Sequence, residues 1–102
     1  MKKLNEMEII KRAYENANDV FCQMEVDEIV DVLGTEVYLD SLEIAEKLQQ
    51  LVTRYGFVDS VTVNNFDDSY TLDITFTHML DCYHALVFEQ YLYAKNDYGY
   101  NN

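Results

Sequence analysis

The stretch Met24–Asp40, "MEVDEIVDVLGTEVYLD", decides how the rest of the chain is read. Val26, Ile29, Val30 and Leu33 recur at steps of three and four, as on one face of a helix, and Gly34 follows as a stop. The beginning of the stretch also alternates, with Cys22, Met24 and Val26 set against Gln23, Glu25 and Asp27 as in a short strand. The helical spacing extends further, so a second short helix is predicted here. The same stretch holds six carboxylates, Glu25, Asp27, Glu28, Asp31, Glu36 and Asp40, with no cation among them; the nearest are Arg12 and Lys47.

Upstream, Leu4, Met7, Ile10, Tyr14, Ala17, Phe21 and Met24 fall at helical steps and predict a first helix from about Asn5 to Cys22. Downstream, "LDSLEI" has the form of a helix start, with Asp40 as cap, Glu43 three residues on, and Leu39 and Ile44 as a hydrophobic staple. Leu42, Ala45, Leu48, Leu51, Val52 and Tyr55 line that helix, and Gly56 is expected to end it in the left-handed conformation.

"VDSVTVNNF" and "YTLDITFTH" then read as an antiparallel hairpin joined by "NNFDDS". Tyr70, Leu72, Ile74 and Phe76 alternate with Thr71, Asp73, Thr75 and Thr77, so one face packs on a core and the other meets water or a partner. A last helix starts at Thr77 or His78, with Asp81 in its first turn and Lys95 at its end. The expected fold is a two-layer α+β domain over residues 1–95, helices packed on a two-stranded hairpin in the order α-α-α-β-β-α, followed by a frayed tail over 96–102.

A chain of 102 residues with 49% hydrophobic content suffices for one modest core, burying roughly two-thirds of the surface of its unfolded form. It has no proline, no internal repeat and no low-complexity tract. Its apolar runs are far short of the roughly 20 residues that span a bilayer, and acids stand where a signal peptide needs apolar residues, so a cytoplasmic protein without membrane contact is expected. Cys22 and Cys82, sixty positions apart, are read as small hydrophobes rather than a disulfide.

The residues that bear chemistry form no catalytic motif. His78, Asp81 and Cys82 have the spacing of converging metal ligands on a helix, but a closed zinc site needs a fourth, and a buried Cys82 beside a helix-end His78 accounts for the pattern. Ser41, Ser60 and Ser69 stand in capping, strand and turn contexts. Gly34, Gly56 and Gly99 are too few for a phosphate-cradling loop. "NNFDDSYTLD" alternates oxygen ligands but lacks the central Gly and closing Glu of a calcium loop. Neither enzyme activity, a cofactor nor a metal is therefore expected. On the last helix, Tyr83 and Tyr91 share a face with Val87 while Phe88 and Tyr93 turn away, which suits a core helix and leaves Tyr91 and Tyr93 as candidates for an interface, including a homodimer.

Charge is the strongest functional signal. Nineteen acids against seven bases give a net charge of −12, which excludes direct binding to nucleic acid, because phosphate affinity depends on Lys and Arg displacing counterions. From Ala13 to Glu46 there are ten carboxylates and no base, and a second cation-free run extends from Tyr55 to Ala94. Glu25, Glu28 and Asp31, and again Asp40, Glu43 and Glu46, follow at steps of three, which on helices would form rows about 4.5 Å apart. Phosphates along one DNA strand are about 3.4 Å apart. Such a face keeps a small protein soluble; it also complements a basic partner.

In size and charge, over its whole length, the chain resembles the phage-encoded DNA-mimic inhibitors of restriction and CRISPR enzymes. That resemblance implies a stoichiometric inhibitor that occupies the basic groove of a DNA- or RNA-binding protein, in place of the phosphate backbone. The acidic runs themselves supply the partner-binding set: Glu25, Asp27, Glu28, Asp31, Glu36, Asp40, Glu43 and Glu46. The alternative is an acidic adaptor, immunity or chaperone-like protein that acts through the threonine face of the hairpin or the tyrosine helix.

Overall fold

Val32–Leu39, the second half of the deciding stretch, is a β-strand (β1) and not the end of a helix. The computed structural model describes residues 3–100. Only Val26–Glu28 wind helically, as a single 3-10 turn closed by the Glu28 carboxylate, which accepts the Glu25 backbone N–H at 2.8 Å. Two forces work against a longer helix here. Val26, Ile29 and Val30 are all exposed, so no buried face offsets the cost of nucleation, and the closely spaced carboxylates repel one another. Beyond Asp31 the β-branched residues take over, with buried Val37 and Leu39 alternating with exposed Glu36 and Tyr38. Gly34 is a strand residue. It faces Thr75 where the pairing with the neighbouring strand shifts register, and a Cβ there would run into the carbonyl oxygen of Ile74.

The remaining elements are α1 (Glu6–Cys22), α2 (Leu42–Val52), β2 (Val58–Phe66), β3 (Ser69–Leu80) and α3 (Cys82–Ala94), with a π-helical turn at Lys95–Tyr100. The class is α+β. The two-stranded sheet expected from the sequence is in fact three-stranded and antiparallel, ordered β1-β3-β2, with a strand in place of the expected second helix. The chain divides into two compact units: Val32–Leu80, and the described residues before and after it.

In the sheet unit, the long β3 is central and pairs with β1 on one side and β2 on the other. Val37, Leu39, Leu72, Ile74 and Phe76 are buried, and so are Ala45, Leu48 and Val52 of α2. The Gln49 side chain donates to the Val61 carbonyl and ties α2 to β2. Ser41, not Asp40, caps α2 by accepting the Ile44 N–H, because Leu39 is still in the strand and the helix starts one residue later than expected. Gly56 is not left-handed either: α2 ends with the Thr53 hydroxyl bonded to the Gln49 carbonyl, and no described glycine has positive φ. The β2–β3 hairpin turns at Asp67 and Asp68, Asp67 adopting φ 53°.

In the helical unit, Asn5 and Glu8 form a reciprocal capping box at the start of α1. The buried stripe is Ile9, Ala13 and Ala17; of the face expected inward, Met7, Ile10 and Tyr14 are exposed. Small side chains permit close approach between packed elements, so the alanine stripe is the one that is covered. α3 starts at Cys82 with Asp81 as its cap, rather than at Thr77 or His78, because β3 continues to Leu80. α1 and α3 run antiparallel: near one end Tyr83 donates to the Asn18 side chain at 2.6 Å, and near the other Tyr91 donates to Glu6 at 2.9 Å. Lys95 pairs with Glu6 at 3.0 Å, and Arg12 lies over the Tyr98 ring at 4.5 Å from its centre. Residues 95–100, most of which the sequence placed in a tail, are thereby tied to α1; Asn101 and Asn102 lie outside the described residues.

Candidate functional site

Alternation along three strands gives the sheet two unlike faces. One carries the apolar residues of the core. The other presents Gly34, Glu36 and Tyr38 of β1, Ser69, Thr71, Asp73 and Thr75 of β3, and Thr62, Asn64 and Phe66 of β2, because register partners share a face. A shallow groove of about 270 Å³ opens on this second face, lined by Glu36, Tyr38, Phe66, Ser69, Thr71 and Asp73.

The chemistry of the groove follows from its rungs. Glu36 and Asp73 are direct register partners, so two carboxylates oppose each other at a spacing of about 5 Å between Cβ atoms, an arrangement that costs stability. Neither forms an ion pair with a Lys or Arg among the described residues. On the next rung, Tyr38 stands opposite Thr71, and its hydroxyl donates to Glu36 at 2.9 Å. Asp73 accepts from the Asn64 amide through Oδ2, while its Oδ1 is buried and without a hydrogen-bond partner. Thr71, 5% exposed, forms the floor; Tyr38 and Phe66, 62% and 58% exposed, rise from the outer strands. The result is a groove with two carboxylates, paired to no base, on one rung, and accessible rings on the two rungs that follow, Tyr38 opposite Thr71 and Phe66 opposite Ser69.

All eight carboxylates of the expected partner-binding set are exposed. They fall on both units: Glu25, Asp27, Glu28 and Asp31 in one, Glu36, Asp40, Glu43 and Glu46 in the other. The two evenly spaced rows do not form. Glu25, Glu28 and Asp31 straddle a three-residue turn, and Asp40 precedes α2, leaving Glu43 and Glu46 alone on that helix. Glu43 is paired with Lys47 at 3.3 Å, and Glu28 is engaged in closing its own turn. Of the two tyrosines marked for an interface, Tyr91 donates to Glu6 within the helical unit, and Tyr93 is half-buried.

His78, Asp81 and Cys82 do not share a helical face, since His78 is in β3 and Asp81 precedes α3. No group of three His, Cys, Asp or Glu side chains among the described residues is arranged to hold a metal ion. The Asp81 carboxylate accepts the His84 backbone N–H at 2.9 Å and lies 2.6 Å from its Nδ1. Those bonds, the backbone one foremost, hold Asp81 below the usual carboxylate range. Cys22 and Cys82 are free thiols, the second buried with its Sγ 3.8 Å from Met24 Sδ. The serines are in structural use: Ser41 caps α2, Ser60 bonds Thr75, and Ser69 donates to the Phe66 carbonyl.

Asp73, Tyr38 and Phe66 were not among the expected site residues. The alternation of β3 already places Asp73 and Thr71 on a face free for a partner; Glu36 and Tyr38 join them only once β1 is recognised as a strand. Among the described residues no helix is long and apolar enough to cross a membrane. No family model, curated protein or solved structure matches the chain.

Proposed function

We propose that this chain is a binding protein for a basic partner, and that it inhibits a nucleic-acid-binding protein by occupying the surface that would otherwise hold phosphates. The observation that supports this is that each unit exposes acids that no base pairs with. Asp27, Asp31, Asp40 and Glu46 are all exposed, and none makes an ion pair with another described residue. Each gains from contact with Lys or Arg without giving up an existing partner, and the net charge of −12 accelerates encounter with a cationic surface. The match to phosphate spacing is no part of the support, since the helical rows that suggested it are absent.

The test is competition. A captured partner should be displaced by duplex DNA or by RNA and released by salt. Reversal of Asp27, Asp31, Asp40 and Glu46 to Lys should abolish capture while the far-ultraviolet circular dichroism is retained. Undiminished capture by the folded quadruple variant would overturn the reading.

A second reading is favoured by α1, whose exposed Met7, Ile10 and Tyr14 form an apolar strip at helical spacing. It is an adaptor that pairs with a second copy of itself through α1. Sedimentation equilibrium separates the two: Met7→Glu should convert a dimer to a monomer under the adaptor reading and leave the mass unchanged under the inhibitor reading.

A further inference from the structure

We infer that the groove on the open sheet face receives one arginine side chain of the basic partner, the guanidinium meeting Glu36 and Asp73 with the rings of Tyr38 and Phe66 lining the groove beside it. The inference rests on the proposed function for the nature of the partner, and on the groove itself for the side chain. A cation placed between Glu36 and Asp73 replaces their mutual repulsion with two attractions. Rings on both outer strands add the attraction of an aromatic face for a cation.

Shape selects arginine over lysine. The acceptors in the groove are spread over the Glu36 carboxylate and Asp73, and a planar fork of five N–H donors reaches several at once, whereas an ammonium is a compact point. Asp73 Oδ1 is the acceptor most in need of a donor. It is buried and without a hydrogen-bond partner, on a residue that lines the groove. A volume of about 270 Å³ lies below the range of sites for drug-sized ligands and suits a single side chain. Paired carboxylates exclude phosphate and other anions.

The experiment titrates the full-length, nitrogen-15-labelled chain with the peptide acetyl-Gly-Arg-Gly-amide, with its citrulline counterpart, which keeps the shape without the charge, and with its lysine counterpart. The arginine peptide should give saturable amide shifts centred on Glu36, Tyr38, Thr71 and Asp73, and should bind at least about tenfold tighter than the citrulline peptide. Glu36→Gln and Asp73→Asn should each weaken it by a similar factor, while Asp19→Asn, at an exposed acid of α1 outside the partner-binding set, should not. Glu36 is exposed on an edge strand, so its variant retains the fold even if Asp73→Asn does not. Non-saturating shifts spread over all the acids, equal binding of the citrulline or lysine peptide, or undiminished affinity in Glu36→Gln would overturn the assignment. Saturable binding here without competition for nucleic acid would leave the groove standing and remove the inhibitor reading; competition without peptide binding would do the reverse.

Discussion

Glu36 and Asp73 face each other on adjacent antiparallel strands, two carboxylates on one rung with no base of the described residues paired to either. Such a pair works against the sheet that carries it. Its presence in the lining of an accessible groove is the arrangement expected of a surface shaped for a cation rather than for maximal stability.

Neutralising one member should therefore stabilise the free protein. Glu36→Gln retains an acceptor for the Tyr38 hydroxyl while removing the repulsion, and should raise the urea midpoint by an amount corresponding to roughly 0.2–1 kcal/mol. The same substitution should weaken binding of the arginine peptide. A gain in stability accompanied by lost binding is the combination that a purely structural role for Glu36 would not produce.

Gly34 should tolerate no side chain. The atom that a Cβ would strike is the backbone oxygen of Ile74, which is held in the central strand and has no rotamer by which to move. Gly34→Ala should cost about 1–3 kcal/mol, as overpacking does, read as a lower urea midpoint.

Ser41→Ala should destabilise by about 1 kcal/mol through loss of the bond to the Ile44 N–H, whereas Asp40→Ala should change the urea midpoint little. The opposite ranking would move the start of α2 back by one residue.

Glu6 links stability to pH. Burial alone would raise its pKa, but the hydrogen bonds from Lys95 and Tyr91, together with the charge of Lys95, outweigh that and hold it below its ordinary value of 4.5. A carboxylate whose folded pKa is depressed contributes stability that is fully present above the unfolded value and is lost as pH falls through the folded one. Urea unfolding of wild type and Glu6→Gln should therefore differ most above pH 4.5 and converge as the solution is acidified below it. A difference that stayed constant through that window would remove the link.

How much of this was legible in the sequence depends on where the deciding information lies. α1 begins at its Asn5 capping box and ends at Cys22, as its periodicity and cap residues require. The β2–β3 hairpin and the alternation of β3 were readable because polar and apolar residues change places at every step. The start of α3 was harder, since "TFTHML" continues a strand into a segment that also suits a helix. In "EIVDVLGTEVYLD" the helical spacing of four apolar residues competed with β-branched content, and neither local signal decides between them. Pairing with β3 does.

By itself, then, the sequence determined the α+β class, the position of most helices, the hairpin and the excess of uncompensated acid, since each depends on residues close together in the chain. Tertiary structure alone decided that β1 adds a third strand, that Glu36 stands beside Asp73 and that Ile9, Ala13 and Ala17 form the covered stripe of α1. Those outcomes depend on long-range pairing and packing: an edge strand gains its backbone hydrogen bonds from a partner some 40 residues away, and no local periodicity records which partner that is.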